Sequence, residues 1–308
     1  MLGKDFLSIA TLEPGDVEDL LNLALDVKAN PKEYKKALKR QVLGMVFQKS
    51  STRTRVSFEV GMYQLGGTGL FLSSNDLQLG RGETLADTAR VLSRYLDGIM
   101  ARVYGHEDIV ELAKHATVPV INGLSDRYHP CQALADYLTM KEHVGELKGK
   151  RLCYIGDANN VYNSLVYGGI KLGMNVTIGA PEVYQPSEDF LKVVKPQAEA
   201  AGVKLAITND PEKAVAGADI IYTDVWASMG QEDERQVRLK AFQPYQVNEK
   251  LMSVAGPQAL FMHCLPAHRG EEVTDEVADS KASVIFDQAE NRLHAQKALM
   301  IRLMGKKK

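Results

Sequence analysis

Along the chain, short apolar runs rich in β-branched and aromatic residues alternate with stretches of helical spacing. In the first half the runs are Val42 to Phe47, Gly69 to Leu72, Ile99 to Val103 and Val118 to Ile121. Residues such as Val56, Val60 and Tyr63, or Leu134, Tyr137 and Leu138, mark the helical stretches among them. After the polar stretch Lys148 to Arg151 the alternation resumes with Leu152 to Ile155, Val176 to Ile178, Lys204 to Ile207, Ile220 to Thr223, Leu260 to Met262 and Val284 to Phe286. Strands separated by helix-length connections pair in parallel, because a tight turn joins only antiparallel neighbours. The chain is therefore expected to form two parallel-sheet α/β domains.

The first domain is expected over residues 1–147 and the second over 148–288. The boundary falls in or just after a helix from about Cys131 to Val144, whose end Gly145 and Gly149 mark. An opening helix is read from about Pro14 to Ala29. A last helix, from about Ala289 to Met304, is expected to pack back onto the first domain.

Thirty-seven Lys and Arg stand against 39 Asp and Glu, a formal net charge of -2, which gives no broad cationic surface for nucleic acid. No apolar run reaches the ~18 residues that span a bilayer, so neither nucleic acid nor a membrane is an expected partner. Residues Met1 to Thr11 interleave Lys4, Asp5 and Ser8 with apolar residues and show no signal-peptide pattern. The three cysteines, Cys131, Cys153 and Cys264, are far apart and form no CxxC pair. A reducing cytoplasm is the expected compartment.

Ligands of open parallel α/β sheets bind beyond the carboxyl ends of the strands, and the chemically unusual residues of this chain follow its apolar runs. Ser50-Ser51-Thr52-Arg53-Thr54-Arg55 follows Val42 to Phe47 and leads into a helical pattern. It has the parts of a phosphate site: free backbone N–H groups, hydroxyls and guanidinium forks. A Ser/Thr cap followed by exposed arginines is the alternative. Arg102 follows Ile99, and His129-Pro130-Cys131-Gln132 follows Val118 to Ile121 with Pro at the start of a helix. A histidine and an amide there either polarise a carbonyl or simply cap the helix.

In the second half, Gly156-Asp157-Ala158-Asn159-Asn160 sits where a dinucleotide fingerprint would be but lacks GxGxxG spacing. Asp224 to Gly230 holds a carboxylate, the single tryptophan and a flexible turn, suited either to folding over a ligand amine or to an ordinary surface loop. His263-Cys264-Leu265-Pro266 offers a thiol that reads as a nucleophile or as packing. The histidines show no HExxH or clustered spacing, so no metal is expected.

Together these segments resemble the aspartate/ornithine carbamoyltransferase family over nearly the whole chain. The Ser51 to Arg55 segment with Ser57-Phe58-Glu59, and His129 to Asp136, are similar to the family's carbamoyl phosphate motifs. Asp224 to Gly230 (DVWASMG) and Phe261 to Val273 (FMHCLPAHRGEEV) resemble its ornithine branch. Tyr162 departs from the pattern as a bulky residue two positions after the paired asparagines.

The resemblance implies that Ser51, Thr52, Arg53 and Thr54 bind phosphate. It places Arg102, His129 and Gln132 at the carbamoyl group, counts Pro130 and Cys131 among the carbamoyl phosphate-binding residues, has Arg292 reaching the same ligand, and puts the active site in the cleft between the two domains. Gln78 resembles a residue given to a neighbouring subunit's site, which implies a homotrimer or a multiple of trimers. Asn160, Asp224, Ser228 and Met229 would bind L-ornithine, with Cys264 and Leu265 positioning its δ-amine. The implied catalytic residues are Arg102, His129, Thr54 and Cys264, and no cofactor is implied. Rival readings are a transferase acting on aspartate, putrescine or an acylated ornithine, and an anion-binding α/β protein without catalysis.

Overall fold

A computed structural model describes residues 4–73, 82–227 and 234–305. The chain forms two compact units, Met1–Leu138 with Glu290–Lys308, and Thr139–Ala289. The division falls inside two helices, Pro130–Val144 and Ile285–Met304. Among the described residues no helix is long and apolar enough to cross a membrane.

The first unit is built on β1 (Val42–Phe47), β2 (Thr68–Ser73), β3 (Gly98–Arg102) and β4 (Val120–Leu124), all parallel, in the order β2-β1-β3-β4. The central strands are buried on both faces, as near-continuous apolar runs require. Leu43, Met45, Ile99, Met100 and Ala101 are wholly inaccessible. Each large side chain among them stabilises by about 1.5–3 kcal/mol relative to exposure. The chain leaves β1 for β2 on one side and returns to β3 on the other, so the order reverses between β1 and β3.

Most strands begin or end a residue or two from the expected run, and two of these boundaries have a clear local reason. The last strand of this sheet begins at Val120 rather than Val118, because Pro119 has no N–H for the ladder and contributes only its carbonyl, which accepts from Ile99. The shift puts Asn122 inside the strand, where its Nδ2 donates to the Leu7 carbonyl at 2.9 Å. The β3 strand ends at Arg102 instead of Val103, beside a register shift in which Gly123 of β4 is the extra residue between the partners of Ala101 and Arg102.

The second unit carries β5 (Arg151–Ile155), β6 (Asn175–Gly179), β7 (Leu205–Thr208), β8 (Ile220–Thr223) and β9 (Leu260–His263) in the parallel order β7-β6-β5-β8-β9. Its order reverses between β5 and β8. Val284 to Phe286, expected as a sixth strand, is not one. Ser283 makes a single bridge to Phe261, and the helix Ile285–Met304 starts directly after Val284. Burial of Val284 and Ile285 beside a 68% exposed Phe286 suits a first helical turn better than a strand buried on both faces. The departure at Tyr162 is absorbed by packing. Its buried ring lies 5.4 Å from that of Tyr154 and 6.2 Å from that of Phe190.

Candidate active site

In each unit the unusual residues gather where the strand order reverses, which is where open α/β sheets bind ligands. Gln78, Ser228 and Met229 lie outside the described residues.

In the first unit, the chain leaving β1 enters the helix Thr52–Gln64 with Ser51 as N-cap. The Ser51 hydroxyl accepts from the Thr54 N–H at 3.3 Å and donates to Thr54 Oγ1 at 3.1 Å. Such a cap leaves other first-turn N–H groups pointing out of the helix end. Thr54 is fully buried and Arg53 half-buried, whereas Thr52 and Arg55 are exposed. Arg55 turns away, its guanidinium 3.9 Å from the centre of the Phe71 ring.

The helix Pro130–Val144 begins beyond β4 and brings in Gln132, whose Nε2 donates to the buried Asp136 at 2.8 Å. Arg292, from the helix Ile285–Met304, ties these pieces together. Its Nη1 donates to Gln132 Oε1 at 2.7 Å and its Nη2 to Thr54 Oγ1 at 3.2 Å. Cys131 is buried and donates to the Asn122 carbonyl at 3.3 Å. Burial pushes its thiol up to about 12, so it keeps its proton.

His129 is buried, and its imidazole is held well below its ordinary range, first by loss of solvent and then by the charges of Arg292, Arg102 and Arg53. The same crowding lowers Lys49, through burial and then Arg102. The first unit therefore collects three guanidinium groups and a neutral imidazole around one helix N-terminus. This combination favours a dianion and supplies an uncharged ring donor.

In the second unit the asparagine pair divides its labour. Asn159 caps the helix Asn160–Leu172, its Oδ1 accepting from the N–H groups of Val161 and Tyr162 at 2.9 and 3.2 Å. Its Nδ2 donates to Asp224 Oδ2 at 2.8 Å, joining the ends of β5 and β8. Asn160 is half-buried at the first helical position. Asp224 Oδ1 accepts from the Val225 N–H at 2.8 Å and from the Cys264 thiol at 3.0 Å. A thiol that donates to a carboxylate is protonated, so the geometry favours an orienting Cys264 over a nucleophilic one. All three donors to Asp224 are without formal charge.

Arg238 is one residue that sequence reasoning missed. It is buried, and its Nη1 donates to Asp157 Oδ2 at 2.7 Å and to the Trp226 carbonyl at 3.2 Å. Burial raises the Asp157 carboxyl, and Arg238 opposes the rise. No local motif signals this role, because Arg238 lies in the amphipathic helix Arg235–Phe242 amid other charges.

Guanidinium groups gathered at a helix N-terminus in one α/β unit and a carboxyl group held by neutral donors in the other suit a two-substrate group transferase. The comparisons narrow that class. Residues 4–142 match the carbamoyl-P binding domain of aspartate/ornithine carbamoyltransferases, and residues 148–303 match the Asp/Orn binding domain. An ornithine carbamoyltransferase of Thermococcus kodakarensis is 56% identical over 99% of this chain and 98% of the relative. One of Pyrococcus furiosus, named anabolic, is 55% identical over 99% of this chain and 98% of the relative. The solved structure of ornithine carbamoyltransferase from Pyrococcus furiosus superposes with a TM-score of 0.95 at 55% identity, covering 99% of this chain and 98% of that one. The chain belongs to the aspartate/ornithine carbamoyltransferase family.

Proposed function

We propose that this enzyme transfers the carbamoyl group of carbamoyl phosphate to the δ-amine of L-ornithine, giving L-citrulline and phosphate. The observation that carries the reading is the Arg292–Thr54–Gln132 cluster beside a buried, neutral His129. The phosphate dianion sits at the capped N-terminus of Thr52–Gln64, with Ser51, Thr52, Arg53 and Thr54 as its donors. Arg102, His129 and Gln132 face the carbamoyl group, with Pro130 and Cys131 shaping the turn that carries them.

The uncharged δ-amine attacks the carbonyl carbon. Negative charge grows on the carbonyl oxygen of the tetrahedral intermediate, where Arg102, the Thr54 hydroxyl and the neutral His129 ring donate. The C–O bond to phosphate then breaks, the proton shed by the attacking nitrogen leaves with the phosphate as its monohydrogen dianion, and Arg53 and Arg292 stabilise the departing group. The amine, with a reference pKa of about 10.4 for its lysine analogue, loses its proton before attack. Asp224 therefore takes the α-ammonium group of ornithine and leaves the δ-nitrogen to Cys264 and Leu265. Asn160, Ser228 and Met229 complete the ornithine site.

We assign the protein to the cytoplasm and to arginine biosynthesis, the latter supported by the anabolic name of the Pyrococcus furiosus relative. The assembly is a homotrimer or a multiple of trimers, with Gln78 given to a neighbour. It is supported by an uncovered apolar stripe of Val56, Val60 and Tyr63 beside the edge strand β2, whose Leu70 is 46% exposed. Sedimentation equilibrium tests this, and a monomer would overturn it. The substrate is tested by comparing turnover of ornithine, aspartate, putrescine and N-acetylornithine at fixed carbamoyl phosphate. Ornithine is expected to exceed the others, and equal or greater turnover of another amine would overturn the assignment.

A further inference from the structure

Directly after β9 the backbone makes a turn that bulky residues seldom adopt. Leu265 has φ 57, in the left-handed region, where a branched side chain is strained. The conformation is held from outside. The Leu265 N–H donates to His263 Nδ1 at 2.8 Å, and the His263 N–H donates to Gln288 Oε1 at 2.9 Å. A backbone N–H can only donate, so Nδ1 carries the lone pair and the ring hydrogen is on Nε2. That hydrogen points at Glu272 Oε1, 3.0 Å away. His263 and Glu272 have no side-chain exposure. Glu272 Oε1 also accepts from the His268 N–H, and the Glu272 carbonyl accepts from Val247 N–H at 2.9 Å.

We infer that Glu272 and His263 are positioning residues for the amine substrate. The Glu272 carboxylate selects the Nε2–H tautomer of His263, and the tautomer leaves Nδ1 free to capture the Leu265 N–H. That capture holds the left-handed turn that carries the Cys264 and Leu265 groups. A buried carboxylate that fixes a histidine's tautomer is a recurrent way of orienting groups in a site. The inference rests on the assignment of Cys264 and Leu265 to the δ-amine. It requires that disturbing either positioning residue weaken ornithine use while leaving the carbamoyl phosphate site in the other unit intact.

The first test uses the wild-type enzyme. Nitrogen-15 NMR of labelled histidine, assigned with His263→Asn, is expected to show Nε2–H for His263, and an Nδ1–H tautomer would overturn the inference. The second is kinetic. Glu272→Leu is expected to raise KM for ornithine by about 10- to 100-fold, the range for loss of an orienting carboxylate. Carbamoyl phosphate affinity is expected to stay unchanged. Glu272→Gln, which keeps an acceptor and guards against a folding failure of the leucine variant, should show a smaller rise in the same parameter. His263→Asn, which retains an acceptor near the Nδ1 position, should outperform His263→Leu. Folded variants with unchanged KM for ornithine, or with both substrates weakened equally, would overturn the positioning role. Failure of the wild type to make citrulline would instead overturn the substrate assignment on which the inference rests.

Discussion

At Asp224 two carboxylate oxygens accept from Asn159, Val225 and Cys264, three donors without formal charge. The arrangement fixes the direction of the carboxyl group, which on the proposed reading meets the α-ammonium group of ornithine. Asp224→Asn is therefore expected to raise KM for ornithine roughly 10- to 150-fold, the equivalent of the ~1.5–3 kcal/mol of a hydrogen bond to a charged group. Separate saturation curves for the two substrates check this, since carbamoyl phosphate should be unaffected.

His129 makes a second prediction, with its sign set by burial and by Arg292, Arg102 and Arg53. Its folded pKa lies below the unfolded value of about 6.5, so the unfolded chain takes up the proton first as pH falls. The associated stability is fully present above about 6.5 and is lost as the pH drops below it. Denaturant unfolding from pH 8 to pH 5 should show a steeper loss for wild type than for His129→Gln. Added phosphate should lessen the wild-type loss, because a bound dianion offsets the arginines. The residue types that gather at the strand ends were legible in the sequence at this scale. Their partners were not: nothing local indicates that Arg292 meets Thr54 and Gln132, 238 and 160 positions away.

Among the elements, the helix Thr52–Gln64 does the most to build the donor site, and its start depends on one hydroxyl. Ser51 both accepts from the Thr54 N–H and donates to the Thr54 hydroxyl. Ser51→Ala should lower unfolding free energy by about 1 kcal/mol, a typical N-cap loss. The same variant should weaken carbamoyl phosphate binding, as urea melts and substrate titrations would show together. The alternation of strand and helix was readable because parallel strands buried on both faces are written as continuous apolar runs. Sequence pattern and structure part where a second rule competes. Pro119 blocks the ladder in an otherwise β-like run, and Val284 with Ile285 is as apolar as a strand yet buries a first helical turn. The capping role of Asn159 is favoured by residue type, but its bond to Asp224 joins β5 to β8 and depends on the tertiary fold.

For the molecule as a whole, two parallel sheets with the orders β2-β1-β3-β4 and β7-β6-β5-β8-β9 each reverse direction at one point, and the two half-sites lie at those points. On the proposed reading each unit prepares one reactant: an arginine-rich cradle for the donor and a neutral-donor shell around Asp224 for the acceptor. Citrulline formation from purified protein, carbamoyl phosphate and ornithine, measured for wild type beside Arg102→Ala, tests this most directly. The wild type is expected to produce citrulline steadily, and the variant to show a kcat lower by about 10²–10³, as for loss of an oxyanion donor. An inactive wild type, or an Arg102→Ala enzyme with undiminished kcat, would contradict it.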